Sequence, residues 1–561
     1  MKQIKKSLQI CLIAVSIIFF NPIKAQTISN HFFGQNAWMP DTIGTSVYYG
    51  KLHKNWSNIK NSKSTFIRFG GIGADKSMPT NYQYIKMIDS IRAKGMEPII
   101  QVPFENWKYS AQQAANIVHY LNVVKGRNIK YWSIGNEPDL GYSYTNSTQV
   151  ANYLKAFASA MKDVDPSILI MGPETAWYNY NIINGLTTPN GPDDITGKDS
   201  KGRYYLDIIS FHSYAFDGSQ TRAQVTSKLT SSGGLQDNLI HLNGRIAACN
   251  TAHNRTGSYA LKTAITEANI GWQNNSGDNL YGNGANSFIG GQFWAEMIGV
   301  SLKNNVDFIN FWSVIEGNSN ALNIGFLDQG TGTKKPIYYH FKMLAENLKG
   351  NYANGTTNQT NVKSFGSKNS QQIAVVILNE ELTNNYNYTV KLNTASIAGT
   401  SALKININAN VASEYSGTIQ AQSTTVLVFN AMGSLIKKYE YSLNNHATAN
   451  LEPTLTQNIA TGVLEQINNE NTGPEFEINN VFPNPTNAKV NIQLNKPNRE
   501  EREFGIEVFD MQGRLVLQKK GNFFKGTEEL DLSQYNLSSA MYVVRVKYQK
   551  ILKTAKVMYI K

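Results

Sequence analysis

From about residue 31 to residue 348 the chain alternates short runs of β-branched and apolar residues with longer stretches whose apolar residues recur at three- and four-residue spacing. A strand pattern followed by a helix pattern, repeated, calls for parallel strands joined by helical crossovers. Strands read over 32–35, 66–69, 98–102, 129–134, 168–171, 206–211, 263–265 and 308–311, and helices over 82–94, 111–124, 149–164, 285–303 and 337–347. Eight repeats in this order predict an α/β fold closed as a (β/α)8 TIM barrel over 26–350, rather than an open doubly wound sheet.

Beyond residue 359 the helical period disappears. Alternating runs at 373–378, 386–392, 402–407 and 424–429 predict a small β-sandwich over 351–431, packed on the barrel. The segment 432–477 is rich in Asn, Thr and Gln with little periodicity and reads as a linker. Strands return at 490–494, 506–509, 515–518, 542–547 and 553–560, with a turn at 511–513, so 478–561 reads as a second β-sandwich.

The first 25 residues read as a signal peptide: Lys2, Lys5 and Lys6 precede an apolar run over 10–20, and Ala25 offers a small residue for cleavage. The run is too short for a membrane anchor, and Cys11 lacks the preceding small residue that lipoprotein processing requires. Without the signal, Cys249 is the only cysteine, so stability rests on core packing rather than disulfides. Of the formal net charge of +12, four units fall in the first 25 residues and six in 479–561, which leaves about +2 for everything between. A nearly neutral barrel argues against a nucleic-acid partner.

Two segments carry chemistry. The strand Tyr131-Trp132-Ser133-Ile134 leads into Gly135-Asn136-Glu137-Pro138, and the strand Ala264-Ile265 leads into Thr266-Glu267-Ala268-Asn269. Strands four and seven therefore each deliver a glutamate to the C-terminal rim, where barrel enzymes keep their sites. Two carboxyl groups facing each other across a barrel mouth suit glycosidic cleavage, in which one donates a proton to the leaving oxygen and the other, ionised, attacks the anomeric carbon. Asn136 is placed to hold the sugar 2-hydroxyl through its amide.

On these residues the barrel resembles clan A of the glycoside hydrolases, over about 32–429. The resemblance implies a retaining enzyme with Glu137 as acid/base and Glu267 as nucleophile. It further implies that Arg68 orders the nucleophile's surroundings, that His212 belongs to the site, that Tyr214 hydrogen-bonds the nucleophile and that Trp312 floors the sugar site. Each of the four also has a structural reading, as an ion-pair partner, a core histidine or a packing ring. The last eighty residues resemble the type A C-terminal sorting domain of the type IX secretion system of Bacteroidetes, through Val481-Phe482-Pro483-Asn484-Pro485, the run 508–514, Ala540-Met541-Tyr542-Val543-Val544 and a terminal Lys561. The family usually has Gly where Ala540 stands. This resemblance implies export through the periplasm to the surface or medium, with the secretion machinery as partner.

Trp38, Trp107, Trp177, Trp272 and Trp312 all follow expected strands, on the rim where a glycan would lie, and Tyr142, Tyr144, Tyr178 and Tyr180 share those loops. Flat rings match the C–H faces of sugars, so the rim suggests several subsites; the bland alternative is that the rings brace long loops. Glu105, Glu174 and Glu316 also follow strands and receive no assigned role. No His/Cys cluster has metal-ligand spacing, the loop 191–199 lacks an EF-hand order, and neither a metal nor a cofactor is expected. The leading reading is a monomeric, secreted, endo-acting β-glycanase on a polysaccharide. Its alternatives are an exo-glycosidase of xylosidase, arabinofuranosidase or glucuronidase type and a non-catalytic carbohydrate-binding surface protein.

Overall fold

The structure, a computed structural model, describes residues 27–38, 52–104, 108–141, 144–275, 277–316, 322–328, 330–397, 401–457, 477–495, 504–510, 514–521, 526–548 and 551–561. The signal peptide expected over 1–25, Glu105, Trp107, Tyr142 and the turn at 511–513 lie outside the described residues. Among the described residues no helix is long and apolar enough to cross a membrane.

Eight strands close into a barrel in sequence order: β1 Phe33–Ala37, β2 Phe66–Phe69, β3 Glu97–Val102, β4 Tyr131–Ile134, β5 Leu169–Thr175, β6 Ile208–Phe216, β7 Lys262–Gly271 and β8 Phe308–Phe311. Every neighbouring pair, including β8 with β1, is parallel. Strands covered on both faces need apolar residues at consecutive positions, which is why these runs show little alternation. Outward-facing Ile67, Ile100, Trp132, Ile170, Ile209 and Ile309 pack in the main core with the helices. Inward-facing Phe66, Ile99, Tyr131, Met171, Ile208, Ala264 and Phe308 form a separate plug at the N-terminal end of the barrel. Its rings meet edge to face, Phe66 with Tyr131 at 5.1 Å and with Phe308 at 5.3 Å. Two residues further along the same strands the inward positions turn polar, to Arg68, Gln101, Ser133, Ser210 and Asn310, all buried.

The surrounding helices start where local chemistry lets them. Thr80 with Gln83, Ser110 with Gln113 and Thr221 with Gln224 form capping boxes that satisfy the first free backbone N–H groups. The helix expected over 111–124 is α-helical at Ala111–Val118 and continues as a wider π-helical segment at His119–Val124.

A six-stranded sheet, in the order Thr454–Gln457, Leu435–Ser442, Ser423–Asn430, Gln372–Asn379, Val362–Lys368 and Asn351–Ala353, follows the barrel. It faces a four-stranded sheet of Gly355–Thr357, Leu403–Ile407, Tyr386–Lys391 and Glu414–Ile419. In Gln372–Asn379 one face (Ile373, Val375, Ile377) fills the sandwich core and the other (Ala374, Val376, Leu378) joins the barrel's core. Burial on both sides explains the unbroken apolar run. The Gln292 amide, on barrel helix Phe288–Lys303, donates to the carbonyls of Asn379 (3.1 Å) and Ser423 (3.0 Å), pinning the sheet to the barrel. The linker expected to begin at 432 is corrected here, because Leu435–Ser442 and Thr454–Gln457 are strands of this sheet. These outer strands hide few side chains; Tyr439 and Tyr441 are buried whereas Thr454–Gln457 is exposed throughout, so the apolar alternation is faint.

The C-terminal unit has a core of its own, including Val490, Ile492, Ile506, Val544, Val546 and Val557. Three strands, Glu477–Phe482, Lys489–Asn495 and Thr527–Asp531, form one sheet, and Leu515–Gly521, Phe504–Phe509, Ala540–Tyr548 and Ile551–Tyr559 form the other.

Candidate active site

Three carboxylates reach the C-terminal mouth of the barrel, each through a departure from regular strand geometry. β4 ends at Ile134, and Gly135 follows with φ 74°, where a Cβ would come within 2.7 Å of the Phe104 ring. Glu137 then takes φ 47° and its N–H donates to the Glu174 carbonyl at 2.8 Å. In β7 the register against β6 slips by one residue, with Phe211 opposite Ile265 but His212 opposite Glu267, so Thr266 is a bulge. The slip turns Glu267 inward at the level of His212. Asn36 holds the bulge, its amide donating to the carbonyls of Thr266 (2.9 Å) and Phe311 (3.3 Å). A second bulge lies in β5, where Pro173 pairs with Ser210 and Thr175 with Phe211, leaving Glu174 between them with φ 59°. A non-glycine residue at positive φ is strained, and strain of this kind persists where surrounding contacts over-determine it.

Those contacts centre on Arg68. Its fully buried guanidinium donates to Glu267 Oε1 at 2.8 Å, to Gln101 Oε1 at 2.9 Å and to Asn136 Oδ1 at 3.0 Å, and pairs with Glu174 Oε2 at 2.9 Å. Tyr214 donates its hydroxyl to the other carboxylate oxygen, Glu267 Oε2, at 2.7 Å. His212 stands between the acids, with Nδ1 2.9 Å from Glu137 Oε1 and 3.4 Å from Glu267 Oε2, and Nε2 3.4 Å from Glu174 Oε2. Ser210 donates to Glu174 Oε1 at 2.6 Å. Beneath them Asp75 accepts from the Asn136 N–H (3.0 Å) and from the Gln101 amide (2.7 Å).

Burial alone would drive the His212 imidazole towards neutrality, but Glu267, Glu137 and Glu174 outweigh it and push the pKa up to about 10. The surrounding acids thus favour the protonated ring. Glu174 is held down at about 2 against its burial by Arg68, His212 and Ser210, so it is a fixed anion. Burial raises Glu267, and Glu137 adds to that, while His212, Arg68 and Tyr214 pull the other way. The tyrosine hydroxyl is pushed well above its usual range by burial and by Glu267 and Glu137, which keeps it a donor.

An open cleft of about 540 Å³ lies above this network, with Asn136, Glu137, Tyr214, Glu267 and Trp312 among its lining residues. Gly71, at φ 101°, makes room for the Trp312 ring, which a Cβ there would approach to 2.4 Å. Trp177 and Trp272, about half exposed, also line the cleft. Of the residues singled out from sequence, the structure thus brings together Arg68, Asn136, Glu137, His212, Tyr214, Glu267, Trp177, Trp272 and Trp312. Trp38 is a correction: it packs, partly buried, against the main core and does not line the cleft. The aromatics of the neighbouring loops act as braces, Tyr178 through a 2.7 Å contact with His241 Nδ1, Tyr180 through Asn238 and Tyr144 against the Phe104 ring. Asp75 and Gln101 were not legible as site residues, although an inward Gln in the apolar strand Ile99-Ile100-Gln101-Val102 is the signal that points to one.

Glu137, His212 and Glu267 offer three ligand atoms that lie within 4.8 Å of one another. The Arg68 guanidinium, 2.8 Å from Glu267, already neutralises one of these carboxylates and opposes a second cation beside it.

Residues 480–561 match the family described as "Secretion system C-terminal sorting domain". No curated protein matches the chain in sequence. Among solved structures, the α-L-arabinofuranosidase of Thermotoga maritima in its arabinose complex superposes with a TM-score of 0.53 at 15% identity, covering 72% of this chain and 97% of that one. The family 51 α-L-arabinofuranosidase AbfB of Bifidobacterium longum gives 0.51 at 12% identity, covering 72% and 96%. The chain therefore shares its barrel fold with these two proteins and ends in a secretion-system sorting domain.

Proposed function

We propose that this protein is a secreted retaining glycoside hydrolase acting on a polysaccharide. The observation that carries the reading is a carboxylate oxygen of Glu137 within 4.8 Å of one of Glu267 at the mouth of an open cleft. Retaining pairs stand about 5 to 5.5 Å apart, whereas inverting pairs need about 6.5 to 9.5 Å to admit a water between acid and base. Arg68 on Oε1 and Tyr214 on Oε2 orient the Glu267 carboxylate and disperse its charge. In the first step Glu267 attacks the anomeric carbon as Glu137 protonates the departing oxygen; in the second Glu137 takes a proton from water, which releases the sugar from Glu267. Asn136 offers its amide to the 2-hydroxyl, and Trp312 packs against the sugar ring.

Exposed Trp177 and Trp272 beside the carboxylates support binding of sugars on either side of the cut, and hence endo action. The signal-peptide reading and the sorting domain together support export through the periplasm and delivery by the type IX machinery to the surface or medium. Incubation with chromogenic β-glycosides and a panel of plant and algal polysaccharides tests the assignment. The wild type is expected to release products, and Glu267→Ala to lose on the order of 10⁴-fold or more of the rate. Binding without products, or equal products from both proteins, rules it out.

A further inference from the structure

The cleft walls differ in kind from its floor. Ile72, Leu140, Trp177, Trp272, Leu322 and Ile324 supply the walls, and all but Ile324 are more than a third exposed. Large hydrophobics left open to water around one cleft mark a surface built for a partner that is itself apolar on the contacting face. Among the described residues lining the cleft, the only charged ones are Glu137 and Glu267.

The cations that contact the cleft's lining residues are committed elsewhere. Arg68 and His212 are fully buried under the floor, bound to Glu174, Glu267 and Glu137. Lys335, bound to the segment that carries Leu322 and Ile324, is also buried, and its ammonium donates to the Asn323 carbonyl (2.6 Å) and side-chain oxygen (2.8 Å). A carboxylate or sulfate on a sugar next to the cut would therefore lose water, find no cation among the described lining residues and face two carboxylates. An uncharged sugar with equatorial hydroxyls meets the same walls differently, laying its C–H faces on Trp177 and Trp272 while its hydroxyls stay in water at the open side.

Resting on the hydrolase reading, we infer that the cleft selects an uncharged glycan: the sugars flanking the cleavage point carry neither uronic acid nor sulfate. Glucuronidase-type and sulfated-galactan activities are thereby excluded, and neutral glucan, xylan, galactan, arabinan or mannan backbones are retained.

The test uses the mature chain and its Glu267→Ala variant on neutral polysaccharides, on polyuronates and sulfated galactans, and on an oxidised, carboxylate-bearing counterpart of the best neutral substrate: its C6-oxidised form where the sugars are hexoses, or a chain bearing glucuronic acid where they are pentoses. The expected result is cleavage of neutral polymers only, at least about tenfold slower cleavage of the oxidised derivative, and products whose masses show no charged sugar at the new ends. Cleavage beside a charged sugar within tenfold of the best neutral rate, lost in Glu267→Ala, overturns this inference and leaves the hydrolase standing. No cleavage of any polymer, or cleavage that survives Glu267→Ala, overturns the hydrolase reading itself. Leu140→Lys places a cation on the exposed wall. It is expected to shift the oxidised-to-neutral rate ratio upward by about tenfold, and an unchanged ratio counts against the inference.

Discussion

The lower and upper halves of the barrel interior come from the same strands, two residues apart, and are held by opposite physics. Below, Phe66, Ile99, Tyr131, Met171, Ile208 and Phe308 interlock as an apolar plug. Above, Arg68, Gln101, Ser210 and His212 meet Glu137, Glu174 and Glu267 in a buried network of charges. Removing apolar area from water stabilises at roughly 25 cal/mol per Å². Burying ion pairs brings little net stability, because desolvation offsets the attraction. The plug and the outer helical layer therefore hold the fold, and the upper network can be arranged for chemistry instead. It is fixed by bulges at Thr266 and Glu174 and by left-handed backbone at Glu137 and Glu174, features a layer selected only for stability has no use for.

The contrast breaks most visibly if single substitutions in the two halves have the same effect. Glu137→Gln is expected to lower kcat by about 10² to 10⁴-fold with a melting temperature near that of the wild type. Phe66→Ala in the plug is expected to cost about 3–5 kcal/mol of stability, while the protein that remains folded keeps its kcat. Assays paired with thermal melts distinguish the two. Arg68→Met joins both effects, since it leaves Glu174 and Glu267 buried without their cation; a loss of about 3–5 kcal/mol is expected together with a fall in kcat.

A pH series sharpens the comparison. His212 has its pKa raised by folding, so the stability it contributes is complete below the ordinary value of 6.5 and is lost as pH climbs towards about 10. Glu174 is depressed, so its contribution is present above the ordinary 4.5 and is lost as pH falls towards about 2. Melting temperatures should therefore decline on the alkaline side, and His212→Gln should flatten that decline. A wild type and variant with parallel alkaline limbs would show that the upper network does not hold His212 charged.

The smallest effect is expected at the rim. Trp272→Ala removes an exposed ring, and a rise in KM of about 5- to 30-fold on polymer is expected, with kcat on a small aryl glycoside and the melting temperature unchanged. Unchanged KM would class Trp272 with the loop braces.

Most of the barrel could be read from sequence because strands buried on both faces declare themselves as apolar runs, and Glu137 could be read because a strand ends just before it. What escaped did so for definable reasons. β6 and β7 run on to Phe216 and Gly271, past the apolar runs 206–211 and 263–265, because polar residues interrupt the pattern there: His212 and Glu267 are buried in the network with half-buried Tyr214, and buried Asn269 donates to the Trp312 and Ile324 carbonyls. Glu174 went unassigned because alternation cannot foresee a bulge, and a one-residue slip decides which face an acid joins. Asp75 lies on a five-residue helix, Ile72–Lys76, where nothing nearby in sequence announces its partners Gln101 and Asn136. Trp38 misled because position after a strand does not fix where a ring points.

In the proposed mechanism Glu137 and Glu267 serve one anomeric carbon in two displacements. Proton NMR of a fresh digest of the best polysaccharide substrate tests it directly, by following the first hemiacetal formed before mutarotation. The anomer with the configuration of the cleaved bond is expected to appear first and the other to grow in later. Appearance of the opposite anomer first would mean that water attacks directly, and that Glu267 is not the nucleophile.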